Sequence, residues 1–202
     1  MRRPSKMRLL IPLAALALSA CGPLVQIGGN DKAPVALLTL RATATVGAPA
    51  ADLSRSVSVV TPTVPGPLQT LRLPVITRDT ELAYLTGATW AEQPNKLFAR
   101  VLADTIAAGG VPVIDARQSN VGAARTLSGQ LVEFSLDVRD AAAPAVVLRY
   151  DALLSGDGGK TLLVRRFDRR VPVSSQAPGD VAVALNSAAN AVAGEVAAWL
   201  PR

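Results

Sequence analysis

The clearest signal in the chain is an alternation of apolar and polar side chains in SGQLVEFSLDVR, residues 128–139. Val132, Phe134, Leu136 and Val138 take one parity, and Glu133, Ser135, Asp137 and Arg139 take the other. That spacing predicts a half-buried antiparallel strand with one wet face. AVVLRYDALLS (145–155) and KTLLVRRFDRRVPV (160–173) behave similarly, on either side of a turn at Gly156-Asp157-Gly158-Gly159. Elsewhere the period changes to steps of three and four. Phe98, Val101, Leu102, Thr105 and Ile106 predict a helix that opens at Pro94 and stops at Gly109-Gly110. Val181, Leu185, Ala188, Val192, Val196 and Trp199 predict a second helix over residues 180–200, with Asn186, Ser187 and Asn190 on its other side.

Shorter apolar runs complete the order. VALLTLRA (35–42), SVSVV (56–60) and LQTLRLPVIT (68–77) read as strands. The last belongs near a sheet edge, because Pro74 has no N–H to offer a neighbour. VPVID (111–115) reads as one more. The order β-β-β-α-β-β-β-β-α predicts an α/β (α+β) fold. It is a two-layer sandwich in which a mostly antiparallel sheet carries both amphipathic helices on one face.

Composition narrows what such a sandwich does. Half of the 202 residues are apolar but only 3% are aromatic, so the core rests on Ala, Val and Leu. The formal charge of +6 first suggests a polyanion as partner. Four cations, Arg2, Arg3, Lys6 and Arg8, crowd the first eight residues, and 17 cations against 15 carboxylates remain beyond them. The domain proper is close to neutral, and nucleic acid is not an expected partner. With no histidine and one cysteine, the usual zinc, haem and iron–sulfur ligand sets cannot be assembled. The same absence excludes Ser-His-Asp and Cys-His nucleophiles. No catalytic residue, metal or organic cofactor is expected.

The single cysteine follows a recognisable leader. MRRPSKMR is a basic start and LLIPLAALALSA an apolar run of about a dozen residues, the layout of a secretory signal peptide and too short to span a bilayer. Leu18-Ser19-Ala20-Cys21 fits the bacterial lipobox. There the thiol takes a diacylglycerol and the freed amine an acyl chain such as palmitate. The alternative is a plain residue after an ordinary leader. Two or more chains suffice for stable anchoring, since each buried methylene contributes about 0.8 kcal/mol. Gly22 stands where aspartate would retain a lipoprotein in the inner membrane of enteric bacteria, so an outer-membrane destination facing the periplasm is expected. The resulting division is a leader over 1–20, a lipidated tether over 21–34 and a folded domain over 35–202. Extended, the tether spans at most about 40 Å.

Three stretches invite chemistry. GDGGKT resembles a phosphate loop, but Leu154 occupies the place of its first glycine and two strands flank it, so a hairpin turn fits better. RRFDRR gathers Arg165, Arg166, Arg169 and Arg170, which fit lipid phosphates or an acidic partner, or else form the wet face of a strand. Tyr84 and Trp90 are either packing anchors or partner hot spots. Carboxylate hydrolysis through Glu81 or Glu92 is a further alternative.

TELAYLTGATWAEQPNKLFARVLADTIAAGG, with Tyr84, Gly87, Trp90, Ala91 and Pro94 leading into a helix, resembles the ABC-type transport auxiliary lipoproteins, the PqiC-like group. DVAVALNSAANAVAGEVAAWL is similar to that family's last helix. The resemblance implies a two-layer fold without catalytic residues. It also implies partnership with MCE-type substrate-binding proteins and ABC transporter components that move lipids across the envelope. Only Cys21, the lipid attachment, carries over as a functional residue. A periplasmic carrier holding lipid between sheet and helices stays open as an alternative, as does assembly of several copies of the chain.

Overall fold

In chain order the elements are β1 (Ala36–Leu38), β2 (Val57–Val59), β3 (Pro74–Arg78), β4 (Glu81–Tyr84), β5 (Ala88–Trp90), α1 (Pro94–Ala108), β6 (Arg125–Asp137), β7 (Ala145–Gly156), β8 (Thr161–Pro172) and α2 (Pro178–Trp199). The structure, a computed structural model, describes residues 35–45, 47, 52–115, 121–156, 158 and 160–201. The leader over 1–20, the tether over 21–34 and Cys21 itself lie outside the described residues, as do Asp157 and Gly159 of the predicted turn.

β6, β7 and β8 form an antiparallel meander paired along nearly its whole length. The other edge of β6 serves two short parallel strands in turn. β2 pairs with its first residues and β3 with its last, while β4 extends the sheet beyond β3. β1 and β5 form a separate parallel pair, Leu38 facing Trp90. The fold is thus a mixed, mostly antiparallel sheet with two helices packed on it.

Period explains which side chains fill the core. Every second residue of β7 (Val146, Leu148, Tyr150, Ala152 and Leu154) is buried toward the helices. α2 lays down Val181, Leu185, Ala188, Val192 and Val196 against β7, β8 and α1. By length and composition α2 is apolar enough to cross a bilayer, yet its packing makes it a core helix. α1 opens at Pro94 and contributes Phe98, Val101, Leu102 and Ile106. Scarce rings occupy the centre: Trp90 stacks on Phe134 at 5.4 Å, Phe98 meets Tyr150 edge-on at 5.3 Å, and Phe167 meets Trp199 at 5.8 Å.

Four details depart from the sequence pattern. The strand expected over 68–77 begins only at Pro74; Leu68 closes a 3-10 turn and residues 69–72 bend before the chain straightens. The strand expected over 111–115 is a single bridge from Val113 to Val57. β4 and β5 occupy a stretch for which no strand was expected. In β6 a bulge at Val132 shifts the parity, so that Leu131, Phe134 and Leu136 face the core while Val132 is only half-buried.

Candidate functional site

The sheet face opposite the helices is where polar groups concentrate. Cross-strand register places Asp151 beside Arg166 and Arg149 beside Asp168. Arg166 chelates Asp151 at 2.6 and 2.7 Å, and Arg149 Nε donates to Asp168 at 2.6 Å while its guanidinium lies 3.6 Å from Glu133. Ser135 donates to Glu133 at 3.0 Å. These pairs arise because the open-face positions Arg149 and Asp151 of β7 lie in register with Asp168 and Arg166 of β8.

Asp137 is the exception, a carboxylate with only 2% of its side chain exposed. Four donors hold it. The Arg139 backbone N–H and Nε reach Oδ1 at 3.1 and 3.0 Å, and Oδ2 accepts from Arg139 at 2.9 Å and Arg170 at 2.7 Å. The Arg139 guanidinium, with Arg170 adding to it, holds the Asp137 carboxyl far below the usual carboxylate range, against the upward push of burial. Asp137 and then Asp79, 2.7 Å away, stabilise the charge on Arg139 in return. Arg166 likewise depresses Asp151. Burial pushes the Tyr150 phenol up, and its hydroxyl donates to the Ser128 carbonyl at 2.9 Å.

Beside this lattice lies an open cleft of about 510 Å³. Pro65, Pro67, Leu68, Ile76 and Leu82 form its apolar side, and Asp79, Glu133, Ser135, Arg139 and Arg149 its polar side. The prolines of the 65–67 turn hold that wall in place, since each fixes its own φ. Such a cleft, half apolar and half lined by exchangeable ion pairs, suits reversible binding of a partner surface.

The residues singled out in the sequence fall at separate places. Trp90 is 1% exposed and packs in the core. Tyr84 is half-buried at the end of β4, with the Arg72 guanidinium 4.0 Å over its ring. Of the four arginines on β8, Arg166 and Arg170 belong to the open-face lattice. Arg169 pairs with Glu195 of α2 on the helix side, and Arg165 sits 5.0 Å over Phe167. Glu81 pairs with Arg78, and Glu92 bonds Arg100 at 2.5 Å, which lowers its carboxyl. A depressed carboxyl is a poor general acid. Among the described residues no group of three or more Asp, Glu or Cys side chains is placed to hold a metal.

Sequence reasoning missed the Asp137–Arg139–Arg170 cluster and the two asparagines of α2. Asn186 Oδ1 accepts the Arg41 N–H at 2.8 Å; Asn190 accepts the Thr43 N–H at 2.8 Å and returns a bond to the Arg41 carbonyl at 2.8 Å. Their i, i+4 spacing was the available signal, because an amide ladder on a helix suits an extended backbone lying beside it.

The model of one protein family, described as the ABC-type transport auxiliary lipoprotein component, matches residues 37–197. No curated protein matches the chain. Two crystal structures share the fold. The protein XCC0632 from Xanthomonas campestris, described as of family DUF330, is 21% identical with a TM-score of 0.66, covering 81% of this chain and 92% of its own. A second, described as an uncharacterized protein, is 16% identical with a TM-score of 0.68, covering 83% and 99%.

Proposed function

We propose, from the premise that this chain belongs to the family of ABC-type transport auxiliary lipoprotein components, that it docks the periplasmic part of an MCE-type lipid transporter at the outer membrane without catalysing a reaction. The family assignment makes a transport-associated auxiliary role plain. The finer reading adds the partner, the cargo and the membrane. The observation that carries it is the extent of the match, 37–197, separated from Leu18-Ser19-Ala20-Cys21 only by the short tether. Gly22 supports the outer membrane over the inner. The partner surface we assign is the open sheet face with its cleft, where Arg139 and Arg149 meet an apolar wall.

The packing favours docking over lipid carriage. A carrier needs room between sheet and helices, and that layer is filled by Phe98, Tyr150, Trp90 and Phe134 in ring contact. Affinity capture of the chain from detergent-solubilised envelope tests the reading. An MCE-type protein is expected among the captured species, and repeated capture of transporter components without one contradicts it. Replacing Arg149 by Glu sets like charges against Asp168 and Glu133, and is expected to reduce capture at least about tenfold while the domain still folds.

A further inference from the structure

We infer that the β7–β8 hairpin tip is a membrane-contact site, in which Leu162, Leu163 and Val164 enter the headgroup layer of an anionic phospholipid bilayer while Lys160 and Arg165 bind lipid phosphates. These three consecutive residues are 61%, 37% and 69% exposed. Strand geometry sends Leu162 and Val164 to one face and Leu163 to the other. Leu163 lies across from Leu154 on the helix side, whereas Val164 lies across from Leu153 on the open side. A protein partner seated on one face leaves the opposite apolar side chain in water. A medium that surrounds the tip covers all three.

Charge follows the same division. Further along β8, Arg166, Arg169 and Arg170 are each matched by a carboxylate. Lys160 and Arg165, which bracket the apolar triad, have no carboxylate partner among the described residues. Two cations without a carboxylate partner among the described residues, beside exposed apolar side chains, complement an anionic lipid surface, each contributing in the way juxtamembrane basic residues do. Lys160 precedes the triad and Arg165 follows it, so the β8 edge approaches the bilayer obliquely, setting the triad and both cations within the roughly 5–10 Å to which interfacial segments bury. Leu53, also exposed, lies at the same end, because Arg125 pairs with Gly156 and donates to the Arg55 carbonyl.

The inference rests on the lipoprotein reading only for proximity, since an anchored domain always has a bilayer within reach of its tether. The test uses the full mature lipoprotein in vesicles of phosphatidylethanolamine and phosphatidylglycerol. Cys21 is the only native cysteine, so a single Val164→Cys, or separately Val183→Cys, takes a polarity-sensitive label. Val183 is 72% exposed near the start of α2, which follows the far end of β8. The expected result is quenching of the 164 label by nitroxide-bearing lipid and its protection from iodide, with the 183 label showing the reverse. Lys160→Gln and Arg165→Gln each lower the ratio of inserted to free tip about fivefold. Equal iodide quenching at both positions, in protein that floats with the vesicles, overturns the tip site and leaves the anchor standing. Protection that is equal in neutral phosphatidylcholine vesicles and rises with protein density also overturns it, in favour of strand pairing between copies along the free β8 edge. Protein that does not float overturns both readings.

Discussion

Asp137 shows how much a single side chain can depend on its surroundings. Its polar parity in SGQLVEFSLDVR pointed to solvent, and its carboxylate does lie on the open face. Arg139, two residues on, supplies three of its four donors, and Arg170, which completes the enclosure, is thirty-three residues away and beyond any local pattern. Its folded carboxyl titrates below the unfolded value of about 3.9, so its contribution is complete above that pH and drains away as pH falls through the folded value. Asp137→Asn keeps the shape but loses the charge-assisted bonds. We expect it to cost about 2 kcal/mol at neutral pH, with a smaller further drop in Tm on acidification to pH 3 than wild type shows. Equal drops in both proteins contradict the assignment. Gly129 is a second such residue. Its φ is +153°, and a Cβ there would lie 2.1 Å from the Asp151 carbonyl and 2.9 Å from the Tyr150 ring. Gly129→Ala is expected to cost about 3 kcal/mol in denaturant unfolding, and a value below 1 kcal/mol would show that β6 and β7 yield more readily than this packing allows.

At the scale of elements, legibility tracked length. The two helices and the three long strands were readable because each repeats its own period over many residues. β1, β2, β4 and β5 are three or four residues long and exist through partners elsewhere in the chain, so their boundaries blurred or were missed. The bulge in β6 shifted the parity at Val132 for the same reason, being set by the register against β7. The polar side of α2 was correctly placed away from the core, but its task became visible only with Arg41 and Thr43 lying along it. Asn186 and Asn190 pin the first described segment of the domain, the part into which the tether leads. Removing both amides is expected to cost about 1–2 kcal/mol and to speed amide hydrogen exchange at Arg41 and Thr43. Unchanged protection at those two positions would mean that β1 alone holds the segment.

The whole molecule separates its tasks by surface. Its core is filled by a few rings amid Ala, Val and Leu, one face of its sheet is a lattice of matched charges beside a cleft, and the start of β8 exposes three consecutive apolar side chains. The candidate site was only partly legible in the sequence: the arginines of RRFDRR were visible, but which carboxylates answer them depends on strand register. Tyr84 and Trp90 stood close in sequence and proved to have different surroundings, one half-exposed beneath Arg72 and the other enclosed against Phe134. What unites these surfaces in the proposed role is attachment to a bilayer through Cys21. Intact-mass analysis of the protein extracted from native envelope reads that attachment directly. The account predicts a chain that begins at Cys21 and carries a diacylglycerol and an N-linked acyl chain; a retained leader, or an unmodified terminus, contradicts it.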